Sequence, residues 1–141
     1  MKVIFLDIDG VLTDTRDSES TLYDILRPVH LNCLKAIVDA TKAQIVLSSA
    51  RRLYADQRNI INNALQTVGL TFVDKTRFLM AGRAAEIKEW LNRHPDTEKF
   101  VILDDDVADL VSEFTGKIVK TTMSVGLMPE HVDEAIKILN S

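Results

Sequence analysis

The residues of this chain that could do chemistry gather where short apolar runs end. Asp7 and Asp9 follow VIFL, Ser48 and Ser49 follow QIVL, and Asp104, Asp105 and Asp106 close another run, with Asp109 just beyond. Two carboxylates flanking one residue, immediately before Gly10, exceed what capping a helix requires, whereas Asp106 alone reads as a helix cap. If the runs are neighbouring parallel strands, the carboxylates converge on one rim. Two like charges about 4 Å apart repel by roughly 1 kcal/mol in bulk water and about 4 kcal/mol at an effective dielectric near 20. Such a cluster persists with a cation between its members or with a shared proton. Oxygen donors without His or Cys select a hard divalent ion, and Mg²⁺ is the usual choice where phosphate supplies another ligand.

The elements that must position these residues are legible as well. KVIFLD, AQIVLS, LTFVD, KFVILD and GKIVKT are short, β-branched and mostly unalternating, the pattern of strands covered on both faces. Between them, apolar residues recur at helical spacing: Leu31, Leu34, Ile37 and Val38; Leu53, Ile60, Ile61, Ala64, Leu65 and Val68; Ala84, Ile87, Trp90 and Leu91; Val132, Ala135, Ile136 and Leu139. Strand and helix alternate, which predicts an α/β fold with a five-stranded, mainly parallel sheet and helices on both faces. Ligands bind such sheets at the carboxyl ends of the strands. Gly69 offers a helix stop, His94 precedes Pro95, and Pro129 opens the last helix. Residues 13–28 lack a clear period and read as a surface loop or a small hairpin over the strand ends.

With 141 residues, 46% hydrophobic and 27% charged, the sequence predicts one domain over 1–141 with its own core. No window nears the roughly 18 consecutive apolar residues of a membrane span, and the N-terminal apolar run is too short for a secretory signal, so the expectation is a cytoplasmic protein. Net charge of -4 argues against a protein that coats nucleic acid. Locally, Arg51, Arg52, Arg58, Lys75, Arg77 and Arg83 face only Asp56 and Asp74, a stretch that suits either an anion path or a solvated face. Cys33, at helical spacing, reads as a small buried hydrophobe, Trp90 as core, and His30, His94 and His131 as helix-end residues without chemistry.

DIDGVLT, a strand ending in Ser48, a basic residue opening a later helix, and VILDDD together resemble the haloacid dehalogenase (HAD) superfamily of phosphatases, over most of the chain. The resemblance implies a three-layer Rossmann-like fold and Mg²⁺-dependent phosphomonoester hydrolysis. It assigns Asp7 as the nucleophile that becomes an aspartyl phosphate, and Asp9 as the acid and base. It assigns a hydroxyl donor to Ser48, with Ser49 one register away, and a phosphate-holding cation to Arg83 or Lys75. Gly10 then lets the chain turn sharply at the phosphate. The family pattern places the metal ligand at Asp105, supported by Asp104 or Asp109 alongside Asp7 and Asp9. The glycine usual before that aspartate is Asp104 here, which leaves the division between Asp104 and Asp105 open.

About 35 residues separate Leu12 from Ser48, and about as many separate Ser48 from Arg83, too few for an inserted cap domain. An uncovered site suits large substrates such as nucleic-acid ends. AQIVLSSARR, AAEIKEWLNRHPDTEKFVILDDD and GLMPEHVDEAIKIL resemble the capless HAD domains of Swiss Army Knife RNA repair proteins, although Ala50 stands where such members often carry tryptophan. DGVLTD is also similar to capless sugar-phosphate phosphatases related to 3-deoxy-octulosonate 8-phosphate phosphatase. A third class is a catalytically silent phosphate- or protein-binding module, against which stands the intact Asp7 and Asp9 pair.

Overall fold

The structure, a computed structural model, describes residues 1–15 and 26–141. Strands β1 (Lys2–Leu6), β2 (Gln44–Leu47), β3 (Phe72–Lys75), β4 (Lys99–Asp104) and β5 (Ile118–Lys120) form one sheet in the order β3-β2-β1-β4-β5, every pair parallel. All five expected strands are present. Helices α1 (Pro28–Thr41), α2 (Ala55–Gln66), α3 (Arg83–Arg93) and α4 (Pro129–Leu139) supply the crossovers and the covering layers. This is the three-layer Rossmann-like arrangement, and the described connections contain no cap domain. None of the described helices is long and apolar enough to cross a membrane.

The alternation of side chains along β1 divides the core. Ile4 and Leu6 join Ile45, Leu47, Val101 and Leu103 beneath α1, α2 and α4, which contribute Leu34, Ile37, Ile61, Leu65, Ala135 and Leu139. Val3 and Phe5 join Val46 and Ile102 on the opposite face, covered by Ile87 and Trp90 of α3 and by Leu110 and Phe114. With both faces buried, the central strands can be apolar at every position, which explains their unbroken runs. Cys33 lies in the first of these clusters, as a small hydrophobe should.

Pro28 opens α1 where a missing N–H costs nothing, and Pro129 does the same for α4. Gly69, with φ +75, turns the chain after α2. Two expectations need correction. Leu53 falls not on α2 but in a short 3₁₀ helix, Ala50–Leu53, which the extended backbone of Tyr54 separates from α2. Asp106 does not cap a helix, because a series of tight turns, Leu110 N–H to Val107 O and Phe114 N–H to Leu110 O, fills the space between β4 and β5. Of the loop or hairpin expected over 13–28, residues 16–25 lie outside the described residues.

Candidate active site

Chain travel across the sheet reverses between β1 and β4, and in open parallel sheets a crevice forms at that point, beyond the carboxyl ends of the strands. Leu6 is in register with Leu103 and with Leu47, so the residues that follow them leave the sheet side by side. Backbone bonding continues one step past the strand ends: Asp7 N–H donates to Leu103 O (3.1 Å), Ser48 N–H to Leu6 O (2.9 Å) and Thr121 N–H to Asp104 O (3.0 Å). These bonds fix the backbone from which the polar side chains project into a cleft of about 680 Å³.

Asp7, Asp104 and Asp105 each bring a carboxylate oxygen within 4.8 Å of the others. Asp7 and Asp104 are buried, at 6% and 1% exposure. Gly10 makes the approach of Asp105 possible, since its φ is +80 and a Cβ there would stand 2.6 Å from the Asp105 carboxyl. The N–H of Gly10 donates to Thr13 Oγ1 (3.3 Å). Arg83, the first residue of α3, extends Nη2 to Asp7 Oδ1 (3.0 Å) and Asp104 Oδ2 (2.9 Å). Lys75 instead lies exposed at the end of edge strand β3, in a separate cleft with Arg58 and Asn62.

The carboxylates of Asp9 and Asp109 stand outside the acidic trio. Asp109 Oδ2 accepts the N–H of Arg83 (3.2 Å), at the positive end of α3. Asp9 is held at both oxygens by Arg51, Nη2 to Oδ1 at 2.6 Å and Nε to Oδ2 at 3.1 Å. The two serines separate by role. Ser49 Oγ accepts the N–H of Arg51 (3.1 Å) and so caps the 3₁₀ helix, whereas Ser48 Oγ is buried in the cleft wall with no protein partner.

Burial, and then the charge of Asp104, pushes the Asp7 carboxyl up to about 8, although Arg83 opposes the shift. Burial likewise raises Asp104 to about 6, against Arg83 and the N–H of Asp106. One guanidinium is therefore too little positive charge for three carboxylates. Asp104 Oδ2 makes no hydrogen bond, its contact with Arg83 being an ion pair without hydrogen-bond alignment. A buried oxygen of this kind within an all-oxygen donor set fits a hard divalent cation, for which Asp7, Asp104 and Asp105 are the residues in reach.

Residues 3–132 match the family model described as the HAD domain in Swiss Army Knife RNA repair proteins. The chain belongs to that family. No curated protein and no solved structure matches the chain.

Several features of this HAD domain's site carry no local sequence signal. Arg52 is only 3% exposed and donates to Thr76 O (2.9 Å) and Ser49 O (2.9 Å), with Nη2 3.0 Å from Glu86 Oε1. Glu86 in turn accepts the N–H of Leu79 (3.1 Å). The pair ties the ends of β2 and β3 to the first turn of α3, and so sets where Arg83 stands. His30 is fully buried, with Nδ1–H donating to Leu127 O (2.7 Å) and Nε2 facing Asp14 Oδ2 (2.7 Å). The basic stretch between Arg51 and Arg83 is largely spent within the domain: Arg51 on Asp9, Arg52 on Glu86, Arg77 on Glu89, Arg83 on Asp7 and Asp104, and Arg58 on the carbonyl of Arg52. A glutamate 34 positions after an arginine identifies nothing by itself; only the fold pairs them.

Two consequences are measurable. Glu86→Ala leaves Arg52 buried and uncompensated, so it should cost about 3–5 kcal/mol in urea unfolding, while Glu89→Ala on the surface should cost far less. Equal effects would remove the buried pair from the frame. In chelator, the folded protein keeps a proton on Asp7 that the unfolded chain releases near 3.8, so stability should fall as pH rises from about 4 to about 8. Asp7→Asn should flatten that decline and be the more stable form at pH 8, by on the order of 2–5 kcal/mol. Parallel pH profiles for parent and variant would contradict the raised Asp7.

Proposed function

We propose that residues 1–141 act as one Mg²⁺-dependent phosphomonoesterase domain that works through an aspartyl phosphate on Asp7. The observation that carries this reading is the meeting of Asp7, Asp104, Asp105 and Arg83 at the tips of β1 and β4. Asp7, Asp104 and Asp105 would hold the cation, whose chemistry is to neutralise phosphate oxygens and so permit attack by an anionic nucleophile. Arg83 aligns the Asp7 carboxylate and offers positive charge to the phosphate. The unpaired hydroxyl of Ser48 supplies a donor to a phosphate oxygen.

Attack by an Asp7 oxygen on phosphorus breaks the ester bond, and the leaving oxygen takes a proton from Asp9, which must enter this step protonated and with one of its two oxygens released from Arg51. Water then attacks the aspartyl phosphate and gives its proton to Asp9, releasing inorganic phosphate and restoring Asp7. Arg51 holds Asp9 where the cleft that holds Asp7 meets a second cleft. The family's description and the uncapped cleft support phosphorylated polynucleotide ends as the substrate.

With p-nitrophenyl phosphate and Mg²⁺, the parent should turn over and Asp7→Asn should lose at least about a thousandfold in kcat. Arg83→Ala should lose about a hundredfold, and Lys75→Ala less than about twofold. Asp7→Asn activity within a few-fold of the parent would end the nucleophile assignment. A folded parent inert toward both this ester and a phosphorylated oligonucleotide would point to a silent module.

A further inference from the structure

Two aromatic side chains are exposed among the described residues, Tyr54 (61%) and Phe78 (59%), and both stand at the mouth of the site. The remaining described aromatics are buried or half-buried in the core and its edges. Phe78 lines the phosphate cleft. Tyr54 lines a second cleft of about 760 Å³ with Thr13, Arg51, Asp56, Gln57 and Met123. The two clefts share Asp9, Ala50 and Met123, so the proposed acid marks their boundary.

Nothing in the fold requires a tyrosine at position 54. It occupies the N-cap of α2 in an extended conformation, and its side chain makes no capping bond. Ser, Thr, Asp or Asn there would satisfy an orphan N–H that Tyr leaves open. An exposed ring at a position suited to a small polar residue, at the mouth of the site, calls for a ligand.

We propose that the Tyr54 cleft is the leaving-group subsite and that it takes the nucleoside of a nucleotide phosphomonoester, with the base stacked on the Tyr54 ring. This rests on the phosphatase reading above. An ester oxygen beside Asp9 has its phosphorus in one cleft, so the rest of the leaving group must lie in the other. There it meets a flat ring and the Met123 thioether, with the Gln57 amide and the Asp56 carboxylate available to the edge of a base. Among the described residues, the cleft lining offers no surplus positive charge for a second phosphate. Arg51 is engaged by Asp9 and Gln57, Asp14 is paired with Arg27 and His30, and Asp56 adds negative charge. An uncharged group suits that balance better than a phosphorylated one, and the flat Tyr54 ring favours a planar base over a bare sugar. Such a nucleoside belongs equally to a free mononucleotide and to the end of a strand.

The test compares adenosine 5′- and 3′-monophosphate with ribose 5-phosphate, which lacks the base. The parent should favour a nucleotide in kcat/KM, and Tyr54→Ala should cut that preference about tenfold while Tyr54→Phe, which keeps the ring, retains it. An unchanged preference in Tyr54→Ala, or its loss in Tyr54→Phe alike, overturns the subsite. A trinucleotide bearing the same terminal phosphate should suffer a similar loss; a loss confined to the trinucleotide would place the stacked base elsewhere and overturn the assignment. Should the parent hydrolyse no ester, the phosphatase reading fails and calorimetry on the same proteins judges the subsite. Adenosine monophosphate binding about tenfold tighter than ribose 5-phosphate, and lost in Tyr54→Ala, sustains it; equal affinities sink it.

Discussion

The structure turns on placing like charges side by side where water is scarce. Parallel pairing of β1 with β4 in register Leu6–Leu103 obliges Asp7 and Asp104 to leave the sheet as neighbours, and Gly10 removes the one obstacle to Asp105. At an effective dielectric near 20 each close pair repels by about 4 kcal/mol. Arg83 returns part of that from a single guanidinium touching two of the three. The remainder appears as protons retained by Asp7 and Asp104 well above the ordinary carboxylate range. A site of this kind is unstable without a counter-charge and receptive to a cation.

Arg83 can serve only if α3 is held firmly, and contacts at both of its ends hold it. Trp90, two turns along, packs edge-on against Phe5 of β1 with ring centroids 5.3 Å apart, and its indole N–H reaches Asp74 Oδ2 (2.8 Å). The imidazole of His94 stacks on the same indole at 3.8 Å, closing the helix end. At the other end, Asp109 caps Arg83 and the Arg52–Glu86 pair fixes the first turn. Core packing on one face of the sheet therefore determines the position of a charge on its rim.

What the sequence disclosed follows the range of each signal. Strands and helices were readable because burial on two faces, or one, writes a period into neighbouring residues. Asp7 and Asp104 stood out because apolar runs end at them, Asp105 because the family pattern singles it out, and Arg83 because it opens a helix. The choice of Arg83 over Lys75 rested on that helix, and the geometry gives it a reason: α3 points its first residue at the β1–β4 crevice, whereas β3 ends at the sheet's edge. Pairings between distant segments left no trace. Arg51 and Arg52 read as one basic patch, yet one is bound to Asp9 and the other to Glu86; His30 does lie in the first turn of α1, as read, but its burial against Asp14 was not visible. Nor could periodicity show that the segment after Asp106 turns repeatedly instead of forming a helix.

Each of the two clefts is underlain by a buried polar pair, Arg52–Glu86 beside the cleft that holds Asp7 and His30–Asp14 beneath the second. Such pairs are poor sources of stability, because desolvating both partners offsets most of their attraction and packed apolar side chains would often do as well. Apolar side chains, however, cannot reach carbonyls. Arg52 donates to Ser49 and Thr76, and His30 donates to Leu127, so each pair anchors backbone that the parallel sheet leaves unbonded at its carboxyl edge. Gly126 has no side chain where the His30 ring sits, since a Cβ there would lie 2.6 Å from it. The directionality of these bonds, more than their net energy, sets the loops that wall the site, and a rim built this way keeps its shape without a cap to press on it.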